Sequence, residues 1–269
     1  MKIATLGPEG TFSHEAAILY NKNASIMFSD TIRDVFEAVR DGKASLGVVP
    51  VENSVAGTIG QTLDLLTAFR LRIKAEELLP IRHNLAGFGK INEIKVLYLH
   101  PQTYEQCELF IRKNIPKAEM IETSSNGKSA SIVAKAKAKS KAAIVPKNAA
   151  GIYRLKILKK DVQDSKFNVT RFFVVARSDG KKTGYDRTSI AVYPQADRPG
   201  LLHGILGEFA KRKINLTKIE SRPSKGRLGD YIFFIDFQGH KSEKKVAEAV
   251  ESVKKYAFVD VLGSYPRKY

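Results

Sequence analysis

The sequence predicts an α/β chain in two parts: a longer one of strands alternating with helices, and a shorter βαββαβ unit. Two observations carry this. Through residue 178, short apolar runs of strand length recur between segments whose apolar residues step by three and four. Beyond a polar, glycine-bearing linker the order changes to strand, helix, strand, strand, helix, strand, which is a ferredoxin-like plan. Length and composition agree, since 269 residues suit one or two domains and 43% apolar residues can bury a full core.

The strands of the first part are IATL (3–6), SLGVVPV (45–51), IKVLYL (94–99), AAIV (142–145) and VTRFFVVA (169–176). Between them, EAAILYN, TIRDVFEAVR and TYEQCELFIRK read as helices, with Phe36 and Val39, and Cys107, Leu109 and Ile111, set to face a sheet. That order implies parallel strands with crossover helices. The pattern occurs twice, predicting two lobes, roughly 1–80 with 160–178 and 81–159. RSDGKKTGYDR (177–187) is the linker. The second domain, 188–266, runs TSIAVYP, LLHGILGEFAKRK, NLTKIESRP, DYIFFIDFQ, SEKKVAEAVESVKKY, FVDVLGSY. Leu201, Ile205 and Phe209 step by four and form its core stripe.

Charge and cysteine content narrow the function. One cysteine, Cys107, allows no intrachain disulfide, and it sits among core positions of a helix. No basic leader followed by an apolar stretch opens the chain, and no run of ~18 apolar residues occurs, so a cytoplasmic protein without membrane attachment is expected. The net charge of +17 is spread along the chain. Its densest cluster, KAKAKSKAA (135–143), alternates lysine with alanine on a predicted helix and carries no aromatic side chain for base stacking. It reads as a solvated helix face, not a nucleic-acid surface. A positive field also draws in small anions. The five histidines lie far apart, with no HxxxH or HExxH spacing, so no metal site is predicted. A nucleophile elbow, GxSxG, is absent as well.

Three stretches carry candidate chemistry. GPEGTFSHEAA (7–17) has neither the nucleotide P-loop nor the dinucleotide pattern, which leaves a helix N-terminus with hydroxyls from Thr11 and Ser13. Such a turn either caps its own helix or holds a carboxylate or phosphate. VPVENSVAGTIGQTLDLL sets Glu52, Asn53 and Ser54 at the carboxyl end of a strand, where α/β sheets bind ligands. Asn53 offers a donor and an acceptor. In NVTRFFVVA, Arg171 stands among strand-forming apolar residues, so it meets either an acidic partner or an anion.

Taken together, these stretches resemble the prephenate dehydratase family over essentially the whole chain. GPEGTFSHEAA is similar to the family's opening motif, VPVENSVAG to its second, HPQTYEQC to its third and NVTRF to its TRF motif. RPGLLHGIL and KIESRP resemble the ligand motifs of its ACT regulatory domain. The resemblance implies a two-lobed catalytic domain similar to type II periplasmic binding proteins, followed by the ACT domain. The implied reaction is decarboxylative dehydration of prephenate to phenylpyruvate, a carbon–oxygen lyase step of phenylalanine biosynthesis driven by aromatisation, with no cofactor or metal required. Residue by residue, Thr170 would hydrogen-bond the leaving hydroxyl, and Asn53 and Gln106 would orient the substrate. Thr11, Phe12, Ser54, Gly57, Thr58, Ser125, Arg171 and Phe172 would line its site, Phe172 behind the ring and Arg171 on a carboxylate.

The regulatory motifs imply feedback inhibition by L-phenylalanine at Gly200, Leu201, Leu202, Glu220, Ser221, Arg222 and Pro223, in a dimer or tetramer joined through ACT domains. Two positions depart from the family: Leu99 stands where some members have serine, and Leu201 where alanine is common. No helical mutase segment precedes residue 1, so the chain reads as monofunctional. Two alternatives share these features: an arogenate dehydratase, and a non-catalytic small-molecule-binding regulator of similar fold.

Overall fold

A computed structural model describes every residue except 196, 197, 225, 227 and 228. In chain order its strands are β1 (Lys2–Leu6), β2 (Ser25–Ser29), β3 (Leu46–Asn53), β4 (Gly57–Thr58), β5 (Arg72–Pro80), β6 (Asn84–Gly87), β7 (Val96–Leu99), β8 (Glu119–Glu122), β9 (Lys141–Val145), β10 (Lys156–Lys159), β11 (Val169–Ala176), β12 (Asp186–Pro194), β13 (Leu216–Pro223), β14 (Tyr231–Gln238) and β15 (Ala257–Pro266). The helices are α1 (Phe12–Tyr20), α2 (Ile32–Arg40), α3 (Gly60–Phe69), α4 (Pro101–Glu105), α5 (Glu108–Asn114), α6 (Asn126–Ala136), α7 (Lys147–Ile152), α8 (Leu201–Ala210) and α9 (Lys244–Val253). Contacts divide the chain into two compact units: Met1–Val35 with Val48–Thr58 and Leu78–Phe172, and Phe36–Gly47 with Ile59–Glu77 and Phe173–Tyr269. Among the described residues, no helix is long and apolar enough to cross a membrane.

The first unit is built on two sheets. One runs β2-β1-β3-β11-β5 with β4 paired to β3, and its strands β3, β5 and β11 continue into the second unit. The other runs β10-β6-β9-β7-β8. Alternation along the strands of this second sheet explains its two cores. Leu85, Leu97, Leu99 and Ile144 pack on one face with Cys107 and Ile111. Ala86, Tyr98, Ala143 and Val145 pack on the other with Ala130 and Val133. Both faces are covered, so the strands read as continuous apolar runs.

Three sequence expectations are corrected here. The strands are not all parallel: β6 runs antiparallel to β9, and β10 antiparallel to β6. These are the short strands by which the chain enters and leaves the second sheet, too short to show a pattern. Leu109 is exposed while Cys107 and Ile111 are buried. TYEQCELFIRK is not one helix but two, broken at Gln106 and Cys107, and the break resets which positions face inward. The lysine cluster is also not one helix. α6 ends at Lys137, which adopts left-handed backbone (φ 48°), and β9 begins at Lys141.

The second unit contains the βαββαβ domain, with sheet order β13-β14-β12-β15, antiparallel throughout. Leu201, Ile205 and Phe209 of α8 pack beside Val246, Ala249 and Val253 of α9 over Ile190, Ile235 and Phe237, as the stripe required. Charged pairs tie this sheet to the other segments of the unit. Arg187 and Glu76 meet at 2.7 Å with both side chains fully buried, and the Glu76 Oε1 atom accepts the Lys268 N–H at 2.9 Å. The Arg187 guanidinium also stacks on the Tyr269 ring at 4.1 Å. On the edge strand β13, Arg222 binds both carboxylate oxygens of Asp64 in α3, at 3.0 and 3.1 Å. Its path crosses Gly60: a Cβ there would lie 1.8 Å from Arg222 Nη1.

Candidate active site

Several segments of the first unit converge on a chain of neutral hydrogen-bonding groups. The first follows β1. Thr11 caps α1, its hydroxyl accepting the His14 N–H at 3.2 Å while donating to the Leu6 carbonyl at 3.0 Å. The capping alternative therefore describes Thr11. The next residue, Phe12, sets its ring edge-on to His83 at 5.3 Å and 87°.

The second turn joins β3 to β4. Gly57 holds a left-handed conformation (φ 81°) that favours glycine, and it pairs with Asn53. The turn folds back on Asn53, whose Oδ1 accepts the backbone N–H groups of Val55 and Ala56 at 3.0 and 2.8 Å. Backbone donors cannot be reversed, so they fix which end of the Asn53 amide faces outward. Its Nδ2 then donates to Asn168 Oδ1 at 2.7 Å and to Thr170 Oγ1 at 2.8 Å. Asn168 in turn donates through Nδ2 to Gln106 Oε1 at 2.9 Å, and His83 Nε2 reaches the same oxygen at 2.8 Å. An oxygen can only accept, so His83 carries its proton on Nε2.

The direction of every bond follows from the two backbone donors, and among the described residues it leaves the donors of Thr170 and Gln106 unspent. Thr170 accepts from Asn53, so its own O–H is available. Gln106 accepts twice, so its NH₂ group is available. Thr170 is 8% exposed and Gln106 half-buried at the break between α4 and α5, so both donors sit in a largely desolvated setting. Hydrogen bonds made there gain from the low local dielectric.

The remaining predicted residues are placed as follows. Ser54 ties two loops together, donating to the Phe167 carbonyl at 2.8 Å and accepting the Val169 N–H at 3.0 Å. Ser125 caps α6 through the Lys128 N–H at 3.1 Å. Thr58 lies in β4, opposite Glu52. Arg171 is buried and faces Glu52 at 3.6 Å, which is the acidic-partner alternative. Phe172 is fully buried in β11. In the second unit, Gly200 (φ 82°) is the N-cap of α8, Leu201 is buried in the domain core, and Leu202 is half-buried beside it. Glu220, Ser221, Arg222 and Pro223 lie along β13, Glu220 within 3.8 Å of Lys218. Leu201 also lines a pocket of about 260 Å³ with Tyr193, Tyr231 and Phe233.

Sequence reasoning missed His83 and Asn168. Asn168 stood inside the quoted NVTRF stretch. His83 had one usable signal, a polar Arg-His-Asn run inserted between the apolar residues of IRHNLA.

Electrostatics at the site are set by burial. Burial lowers the His83 pKa to about 4 against a weaker opposing effect of its bond to Gln106, so the ring is neutral. Burial also lowers His14 and His100, and raises the Glu15 carboxyl. Phe12 and Glu15 line a cleft of about 290 Å³ together with Arg82, Lys147 and Lys160. Among the described residues these three cations have no ion-pair partner, and against the two carboxylates of the lining, Glu15 and Asp161, they leave the cleft a net positive charge. No cluster of metal-ligating side chains occurs among the described residues.

Fold and site define an α/β protein that offers neutral, fixed donors beside a cationic cleft and also carries a ferredoxin-like domain. The chain belongs to the prephenate dehydratase family, whose model matches residues 3–180, and the ACT domain model matches residues 195–255. It is 42% identical over 270 residues to a bifunctional chorismate mutase/prephenate dehydratase of Aquifex aeolicus, covering 99% of this chain and 74% of that protein. It is 41% identical over 271 residues to a prephenate dehydratase of Methanocaldococcus jannaschii, covering 96% of each. Among solved structures, a prephenate dehydratase of Arthrobacter aurescens in complex with L-Phe superposes with a TM-score of 0.91 at 34% identity, covering 99% of this chain and 90% of that one. GqqA, described as a quorum-quenching acylase, gives a TM-score of 0.90 at 25% identity, covering 100% and 98%.

Proposed function

We propose that this chain converts prephenate to phenylpyruvate, carbon dioxide and water, and that L-phenylalanine regulates it through the ACT domain. One observation carries the catalytic reading: Asn53 donates to Thr170 and leaves the threonine hydroxyl proton free for a substrate oxygen.

The substrate is a dianion, and Arg82, Lys147 and Lys160 attract it. Gln106 donates to the bound substrate and sets its orientation. Thr170 then donates to the ring hydroxyl as its C–O bond breaks. In the same change the bond to the ring carboxylate breaks, and its electron pair completes the aromatic ring. Carbon dioxide leaves, and the hydroxyl departs as water with a proton taken from solvent and relayed through Thr170. A threonine is too weak an acid to supply a bare proton, so it acts as donor and relay. A site of neutral donors suits this reaction, since nothing in it holds the departing carboxylate by a strong charge. Arg171, already facing Glu52, serves to hold the β3 end in register rather than to meet the substrate first.

For regulation, the pocket beside Leu201 and the edge strand β13 are where an aromatic amino acid would act. A second copy of the domain would cover that open edge, giving a dimer or tetramer. The Arg222–Asp64 pair joins the effector strand to α3, the helix that follows the Asn53 turn in sequence. A cytoplasmic enzyme with no nucleic-acid partner completes the reading.

The test is direct. Purified protein is mixed with prephenate, and phenylpyruvate is followed by its absorbance in alkali. Product formation supports the proposal. Absence of product with prephenate, together with phenylalanine formed from arogenate, moves the substrate to the amino analogue. No turnover of either overturns the enzymatic reading.

A further inference from the structure

His83 is a buried titratable group that the mechanism above leaves without a task. Its ring is 1% exposed, its Nδ1 has no hydrogen-bond partner, and its backbone N–H is held by Gln163 Oε1 at 2.9 Å. We infer that His83 is a positioning residue: its Nε2–H fixes the Gln106 carboxamide so that the NH₂ group faces the substrate. The inference rests on reading this site as that of the dehydration.

A glutamine amide turns freely about its last torsion, whose energy wells are broad. Gln106 is also half-buried at a helix break, where the backbone alone does little to hold its side chain. Its Oε1 takes two N–H donors, from Asn168 at 2.9 Å and from His83 at 2.8 Å. Reversing the amide would turn its NH₂ group against both of them. The histidine is itself held in one form. A proton on Nδ1 would be a buried donor without an acceptor, so the neutral ring keeps its proton on Nε2. Phe12 packs edge-on against the ring and fixes its plane. The opening motif and the third motif are thereby coupled through a residue that belongs to neither.

The test is a set of variants assayed for phenylpyruvate, each checked by thermal unfolding. His83→Leu removes the donor with little change in bulk, and kcat should fall ~10–100-fold with KM changed less than ~3-fold, as for a misplaced orienting group. His83→Gln can place an amide N–H in the same spot and should retain kcat within ~5-fold of the native protein. In a Gln106→Leu background, adding His83→Leu should cost less than ~2-fold more, because the two act as one unit. Full additivity in that cycle overturns the inference, as does native kcat in His83→Leu. A loss in His83→Gln equal to that in His83→Leu, at unchanged melting temperature, also overturns it. Nitrogen NMR of the imidazole gives a readout that does not depend on turnover: protonated Nε2 supports the inference and protonated Nδ1 overturns it. If the native protein forms no phenylpyruvate, the reading of the reaction fails, and the tautomer alone decides whether His83 orients Gln106.

Discussion

The site and the regulatory sheet are held by opposite chemistries. Around Thr170 the links are neutral amides and a neutral imidazole, Asn53, Asn168, Gln106 and His83, running in one direction from two backbone N–H groups. In the second unit the links are charged: Arg187 with Glu76, Arg222 with Asp64, Arg72 with Asp260. A neutral chain fixes polarity at little desolvation cost and leaves a dianion's charge undisturbed. A charged pair is costly to bury, and losing one partner is severe. The first arrangement suits a geometry that stays constant through turnover, the second segments that must stay joined.

The largest effect expected is at the free end of the neutral chain. Thr170→Ala should lower turnover by ~10²–10⁴ with the fold intact, and Thr170→Ser should keep more activity because the hydroxyl remains. Normal turnover in Thr170→Ala would make the hydroxyl structural and erase the functional side of the comparison. On the charged side, Glu76→Gln should destabilise by ~3–5 kcal/mol in urea unfolding, because it strands the Arg187 charge. The double variant Glu76→Leu/Arg187→Met should recover most of that loss. If the single variant costs nothing, the pair is not a charged contact of the folded state.

Acid separates the two regions more gently. Unfolded His83 binds a proton near its ordinary 6.5, whereas the folded ring resists until about 4. Between those values the unfolded chain holds more protons, so stability falls as pH falls, by up to ~1.4 kcal/mol per pH unit, and levels off below. His14 and His100, also lowered by burial, act in the same sense. Comparing urea unfolding of the native protein and His83→Gln at pH 7 and pH 5 isolates the His83 share. The variant should lose less stability, and equal losses would mean that His83 is already solvated.

The smallest effect concerns the Arg222–Asp64 pair. Asp64→Asn should leave basal turnover unchanged and alter phenylalanine inhibition by roughly 1 kcal/mol, about fivefold in the inhibiting concentration. An unaltered inhibition curve would confine the Arg222–Asp64 pair to assembly.

The legibility of the two regions also differs. Asn53, Gln106 and Thr170 stood in quoted motifs, and the structure joins them through Asn168. His83 escaped because it stands just before β6, a strand of only four residues, too short to show which way a polar neighbour points. Leu109 was misplaced because a helix break inside TYEQCELFIRK leaves no mark in the apolar spacing. The βαββαβ order was legible throughout, since each element carries a full period. Its ion pairs were not: Glu76 and Arg187 are 111 residues apart. Nothing local in a sequence announces a partner at that separation.

Gly60 gives the charged region an evolutionary weak point. The Arg222 guanidinium occupies the space of a side chain at residue 60, and it is the far end of a flexible chain, so it can be pushed aside with little cost to the fold. A single base change turns any glycine codon into an alanine codon. Under the regulation proposed here, cells selected on a toxic phenylalanine analogue should collect substitutions at this position. They would keep synthesising the amino acid while sensing it about fivefold less well.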